Sequence, residues 1–149
     1  MSSKTPVIAF VSPKGGVGKT TAALTLASEI LFQTQEPVTI IDADPNQPFK
    51  AWSDLGKKPD LLNIRLDESE ETILDNIEQA KAVSRAVIID LEGTKNTRVA
   101  YAVSAADLVI IPVQASTLDA NQAAEAIKLV LRTSKAFKRK IEYAILFTR

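Results

Sequence analysis

Cysteine is absent from the chain, which excludes disulfides, thiolate metal centres and cysteine nucleophiles together. Net charge is absent too: 18 Lys and Arg balance 18 Asp and Glu, so no global field draws the protein to nucleic acid or to an anionic membrane. Long apolar runs are missing, none approaching the roughly 20 residues that cross a bilayer. The N-terminal segment has no charged stretch leading into an unbroken apolar one, so no signal peptide is read and the expected compartment is the cytoplasm. Glycine is scarce, with five in the chain, yet three of them, Gly15, Gly16 and Gly18, fall in one short stretch.

What is present is 149 residues, 46% of them hydrophobic, enough for one soluble globular domain with a core. Charge is unevenly distributed. Segment 67–78 carries Asp67, Glu68, Glu70, Glu71, Asp75 and Glu78, whereas 132–140 carries Arg132, Lys135, Lys138, Arg139 and Lys140. The basic cluster has two readings: cations offsetting a helix C-terminus, or a contact for a polyanion.

The clustered glycines lie in F-V-S-P-K-G-G-V-G-K-T-T, residues 10–21, after the apolar run 7–11 and before 22–31, which reads as a helix. Backbone N–H groups of a glycine-rich loop that curls into a helix N-terminus converge on one small volume, and the helix dipole adds positive potential there. A phosphate belongs in such a place. Gly15, Gly16 and Gly18 permit close backbone approach, Lys19 supplies charge to the outer phosphates, and the Thr20 hydroxyl is placed to ligate magnesium.

Short apolar runs recur at 7–11, 38–41, 62–66, 86–90, 108–113 and 143–147, with helical stretches between most of them. Continuous apolar strands alternating with helices indicate an α/β fold, a parallel sheet covered by helices on both faces. The first crossover helix runs from Lys19 to about Gln33, with Leu24, Ala27, Ile30 and Leu31 at helical spacing. Segment 49–55 reads as a short helix with Trp52 half-buried. Segment 67–83 reads as a helix with Asp67 and Glu70 spaced for a capping box, Ile73, Leu74, Ile77 and Ala80 inward, and its acidic residues in solvent. Segment 117–136 reads as a long helix capped by Ser116 or Thr117, with Ala123, Ile127, Val130 and Leu131 inward. Two strands end in carboxylates: Ile40-Ile41 runs into Asp42-Ala43-Asp44-Pro45, and Val87-Ile88-Ile89 runs into Asp90. In an open parallel sheet that is the end where ligands bind, and an aspartate capping a strand next to the P-loop strand can hold a magnesium-bound water.

The general P-loop pattern G-x-x-x-x-G-K-[ST] would need glycine at position 13, where Pro13 stands, and Lys14 follows. The form K-G-G-x-G-K-T resembles the deviant P-loop of the ParA/MinD group of ATPases. That resemblance covers 7–149 and implies a P-loop NTPase fold with ATP and Mg2+ as ligands. Residues Lys14, Gly15, Gly16, Val17, Gly18, Lys19, Thr20 and Thr21 would hold the nucleotide, with Lys14 reaching across a dimer interface to the partner's phosphates. Asp44 would position the attacking water, with Lys14 and Lys19 offsetting phosphate charge. Thr20, Asp42 and Asp90 would serve the magnesium and its waters, and the Gly93 N–H would lie near the γ-phosphate. Two departures stand out: Asn46 where the group commonly has glutamine, and Glu92 where it has proline.

The resemblance further implies a slow, partner-stimulated ATPase whose ATP-bound homodimer binds DNA non-specifically, used in partitioning or positioning plasmid or chromosomal DNA. No helix-turn-helix precedes the P-loop, which is similar to the short ParA type. Members of the group continue beyond the last strand here, so the expectation is one domain, 1–149, shortened at its C-terminus. D-A-D-P-N-Q-P followed by Phe49 and Ala51-Trp52 also resembles the VirC-like ATPases, which assist conjugal or T-DNA transfer. Alternatives within the fold are a MinD-like positioning ATPase, for which no C-terminal amphipathic membrane helix is read, and an ATP-driven small-molecule enzyme. The lack of cysteine argues against the thiolate-using branches of the latter.

Overall fold

The computed structural model describes residues 4–13 and 18–148. In chain order the elements are β1 (Val7–Ser12), α1 (Lys19–Thr34), β2 (Val38–Ala43), α2 (Pro48–Ser53), β3 (Leu62–Leu66), α3 (Ile73–Val83), β4 (Ala86–Glu92), α4 (Thr97–Ala105), β5 (Leu108–Val113), α5 (Thr117–Ala136) and β6 (Glu142–Phe147). The strands form one sheet in the order β3-β2-β4-β1-β5-β6, every pair parallel. Strands β1, β2 and β4 lie at its centre and are apolar on both faces, because helices cover both.

Alternate residues of β1 divide between two cores. Val7, Ala9 and Val11 join Ile77, Ala102, Val103 and Val130 under α3, α4 and α5. Phe10 joins Ala23, Ala27, Phe49 and Leu62 under α1 and α2. Small Ala23 and Ala27, both fully buried, let α1 lie close over β2 and β4. Trp52 is half-buried against that core, as expected.

Four local expectations need correction. The third helix begins at Ile73 rather than at residue 67, and no capping box forms there. Asp67 is buried and its carboxylate accepts from the Ser69 N–H, the Thr72 hydroxyl and the Asn76 amide. This local side-chain bonding competes with helix and holds 67–72 in a turn. Leu74 and Leu131 point outward, 40% and 55% exposed. In α5 Ala123 and Val130 are buried as expected and Ile127 packs partly buried against the core, joined by Ala126, Leu129, Thr133 and Asp119. Helix α4 had no expected counterpart, although Asn96 caps it through the Val99 N–H and Val99, Ala102, Val103 and Ala106 are buried at helical spacing. Finally, helices cover both faces of the sheet only as far as β5, for all six residues of β6 are exposed.

Arg139, expected to belong to a basic cluster, is a strut. Its guanidinium donates to the carbonyls of Ser104 and Ala106 and to Asp107. Asp107 also takes the Lys4 ammonium at 2.7 Å and the Val7 N–H at 2.9 Å. Burial works against ionisation of Asp107, but Lys4, the Val7 N–H and Arg139 together hold its carboxyl below the ordinary value. A carboxylate depressed in the folded state stabilises above its unfolded value and loses that stabilisation as pH falls through the folded one. Asp107→Asn is therefore expected to cost about 1 kcal/mol at neutral pH, discounted for its partial exposure. The difference from wild type should be constant while both states are ionised, then shrink and vanish as the pH falls through the ordinary carboxylate value and the lower folded one, as read from urea melts across an acid series. No helix among the described residues is long and apolar enough to cross a membrane.

Candidate nucleotide site

Parallel pairing assembles the site. β4 lies between β2 and β1, in a register that sets Asp42 beside Asp90 and Phe10 beside Asp90. All three strands point their carboxyl ends the same way, so groups distant in sequence converge at one edge of the sheet. Gly18 precedes α1 in the left-handed region, φ 83°. A Cβ there would make only an ordinary contact with the Thr148 side chain, so it is the backbone conformation that favours glycine.

Lys19, the first residue of α1, is 4% exposed. Its ammonium donates to Asp90 Oδ1 and, at 3.4 Å, to Asp44 Oδ2. Thr20 Oγ1 donates to Asp90 Oδ2 at 3.0 Å. Lys19, Thr20, Asp44 and Asp90 thus form one hydrogen-bonded group. Burial raises the Asp90 carboxyl above the ordinary value despite the Lys19 ammonium. Asp44 shows the opposite balance: burial disfavours its charge, but the Asn46 N–H at 2.8 Å and Lys19 outweigh it and hold the carboxyl low.

Asp42 stands slightly apart. It is 1% exposed, and its carboxylate accepts from the N–H groups of Phe49, Lys50 and Asp44. It caps the N-terminus of α2 from a neighbouring strand, a task that Gln47 at the cap position does not perform. Burial is the main cause that raises its carboxyl. Gly93 has φ 90°, and its N–H donates to the Ser12 carbonyl at 2.8 Å. The two loops leaving β2 and β4 also touch, with Asn46 Nδ2 donating to Glu92 Oε2 at 3.2 Å. Burial and the adjacent Asp44 raise the Glu92 carboxyl.

Of the residues expected from sequence, Lys19, Thr20, Asp44 and Asp90 come together, Asp42 and Gly93 flank them, and Gly18 shapes the turn. Thr21 is exposed on α1. Lys14, Gly15, Gly16 and Val17 lie outside the described residues. The chemistry of the donor set fits magnesium, which keeps most of its waters and takes only one or two protein oxygens beside substrate phosphates. Thr20 and Asp90 already present a hydroxyl and a carboxylate side by side. Among the described residues no group of three or more carboxylates makes a self-sufficient metal cage.

The profile of the VirC1 protein family matches residues 5–149. The chain belongs to this family. Protein ParA of Rhizobium radiobacter is 38% identical over 143 residues, covering 96% of this VirC1-family chain and 64% of that relative. Among solved structures, a plasmid partition protein from Borrelia burgdorferi superimposes with a TM-score of 0.73 at 18% identity, over 99% of this chain and 80% of that one. Cobyrinic acid a,c-diamide synthase from Mycobacterium smegmatis, with a bound ATP analogue and magnesium, gives 0.74 at 22% identity, over 96% and 74%. At those identities the structural likeness shows the fold, the one expected from the deviant P-loop. The chain spans less than two thirds of the length of the curated relatives it matches.

Proposed function

We propose that this VirC1-family protein is a Mg-ATP-dependent dimerisation switch with slow hydrolysis, serving the partitioning or positioning of DNA. The observation that carries the reading is the convergence of Lys19 and Thr20 at the N-terminus of α1 with Asp44 and Asp90 at the ends of β2 and β4. Phosphoryl transfer to water asks the protein for positioning and charge neutralisation rather than covalent catalysis. Asp44, held by the Asn46 N–H, orients the attacking water; the bond to the γ-phosphorus forms as the bond to the ADP oxygen breaks. Lys19 exchanges its carboxylate partners for phosphate oxygens, and Lys14 supplies a second cation across the dimer. Thr20 and Asp90 would hold magnesium and its waters, which would supply charge neutralisation at the phosphates. Asp42 contributes by fixing the loop that carries Asp44, with its magnesium role exercised through bound water. The Gly93 N–H reaches phosphate only by leaving the Ser12 carbonyl, so nucleotide binding is coupled to movement of the loop after β4.

The dimer would pair two copies of the basic surface around Arg132, Lys135 and Lys138, giving a salt-sensitive contact to DNA without sequence readout. A partner protein would stimulate turnover. The family match also supports a role beside a DNA-transfer complex, which uses the same switch.

Solution mass by light scattering tests the proposal. With Mg-ATP, Asp44→Ala is expected to be trapped as a dimer and Lys14→Ala to remain monomeric; with Mg-ADP all forms should be monomeric. Asp44→Ala that binds ATP yet stays monomeric would sink the dimer switch for this chain.

A further inference from the structure

The two positions at which this chain departs from the pattern of the deviant P-loop ATPases, Asn46 and Glu92, lie 46 residues apart in sequence and are hydrogen-bonded to each other. Each stands in a loop that continues a central strand, Asn46 after β2 and Glu92 at the end of β4. The contact continues inward: while the Asn46 side chain is held by Glu92, its backbone N–H holds Asp44 Oδ1 at 2.8 Å. The turn is closed by the Gln47 N–H on the Asp44 carbonyl at 3.0 Å, and Gln47 has φ 48°. Asp44 is therefore oriented by a short exposed turn, and a turn of that kind holds its shape only where something outside it grips it. Lys19 holds Asp44 Oδ2 from the inside and Asp42 takes the Asp44 N–H, while on the outer side the turn is gripped by the Gln47 amide on Glu68 and by Glu92 on Asn46.

We propose that Glu92, acting through Asn46, is a positioning residue for Asp44, coupling the loop after β4 to the loop that orients the attacking water. Glu92 does not touch the reacting atoms. It fixes the turn whose N–H aims the Asp44 carboxylate, and it makes that aim depend on the loop carrying Gly93, the next residue in the chain. Motion of the loop after β4 on nucleotide binding is thereby passed to Asp44 through the Asn46–Glu92 pair and through the direct approach of Glu92 to Asp44. An ordinary surface hydrogen bond would do none of this, since its loss would change neither the rate nor its dependence on the partner residue. This inference rests on the hydrolysis assigned above to Asp44.

Steady-state hydrolysis of Mg-ATP, with kcat and KM separated, tests it on the full chain. Glu92→Ala and Asn46→Ala are each expected to lower kcat roughly ten-fold, as a small misplacement of a positioned group does, with KM changed less than two-fold. Glu92→Gln, which keeps an oxygen acceptor for the Asn46 amide, should recover most of the lost rate. The double variant Glu92→Ala/Asn46→Ala should be no slower than Glu92→Ala alone, because the first substitution already removes the bridge that Asn46 completes. Losses that multiply in the double variant, or a Glu92→Ala enzyme with wild-type kcat beside an Asp44→Ala enzyme that has lost turnover, would overturn the bridge alone. Wild-type turnover in Asp44→Ala would instead remove the assigned role of Asp44, and the bridge would fall with it.

Discussion

Lys19→Ala is expected to abolish nucleotide hydrolysis and, independently, to destabilise the nucleotide-free protein by roughly 3–5 kcal/mol at neutral pH. The second effect follows from where the ammonium sits. Lys19 is 4% exposed and its partner Asp90 is not exposed at all. Removing the cation leaves Asp90 in the sheet with the Thr20 hydroxyl and with Asp42 and Asp44 nearby. A buried carboxylate without a counter-charge shifts toward its neutral form. The loss should therefore shrink as pH falls: a carboxylate raised in the folded state destabilises when ionised, and lowering the pH protonates it in the native protein first. Urea melts of wild type and Lys19→Ala at about pH 7.5 and 5.5 read this directly, and Lys19→Ala/Asp90→Asn should regain most of the stability. Equal losses at both pH values would mean that Asp90 is not the group left stranded.

Asp44→Ala is expected to lower kcat by about 10²-fold, the weight of losing the group that positions the attacking water, while ATP still binds. Binding survives because the phosphate-facing cation and the Thr20–Asp90 pair are untouched, and Lys19 loses one of its two competing carboxylates. The separating measurement is nucleotide affinity by titration beside single-turnover hydrolysis. A fall in affinity that matched the fall in rate would place Asp44 in ground-state binding rather than in water positioning.

Both predictions depend on an arrangement with two energetic sides. Without nucleotide, Lys19 satisfies Asp90 and Asp44, so the charges that the proposed function assigns to phosphate and magnesium are compensated internally. Nucleotide binding must replace these contacts rather than add to an idle set. The Gly93–Ser12 hydrogen bond is a second contact of the same kind. A site built this way stays folded without ligand, and its loops are held by bonds that a phosphate can substitute.

The site was legible in sequence because its chemistry is local. A loop of closely spaced glycines followed by Lys19-Thr20 needs only its own backbone and one helix to define an anion site, and apolar runs ending in Asp90 or Asp42 announce strands whose carboxyl ends meet ligands. The six-strand alternation likewise determined a parallel α/β sheet, since strands apolar on both faces require cover on both. The resemblance in residues 14–21 supplied the roles that spacing alone leaves open. Strand order, in contrast, depends on contacts between segments far apart, and only the tertiary structure set β4 between β2 and β1, bringing Asp90 beside Asp42. The start of α3 was misread because Asp67 and Glu70 fit a capping box locally, while Asp67 instead turns inward to Thr72 and Asn76 and the Asp67 N–H continues the pairing with the Asp42 carbonyl. The outward turn of Leu131 and the exposure of β6 side chains follow from which strip of sheet each element meets, which helical spacing does not contain. The partnership of Asn46 with Glu92 belongs to the same class: each is a plain substitution in its own loop, and they become one feature only when parallel pairing carries the ends of β2 and β4 together.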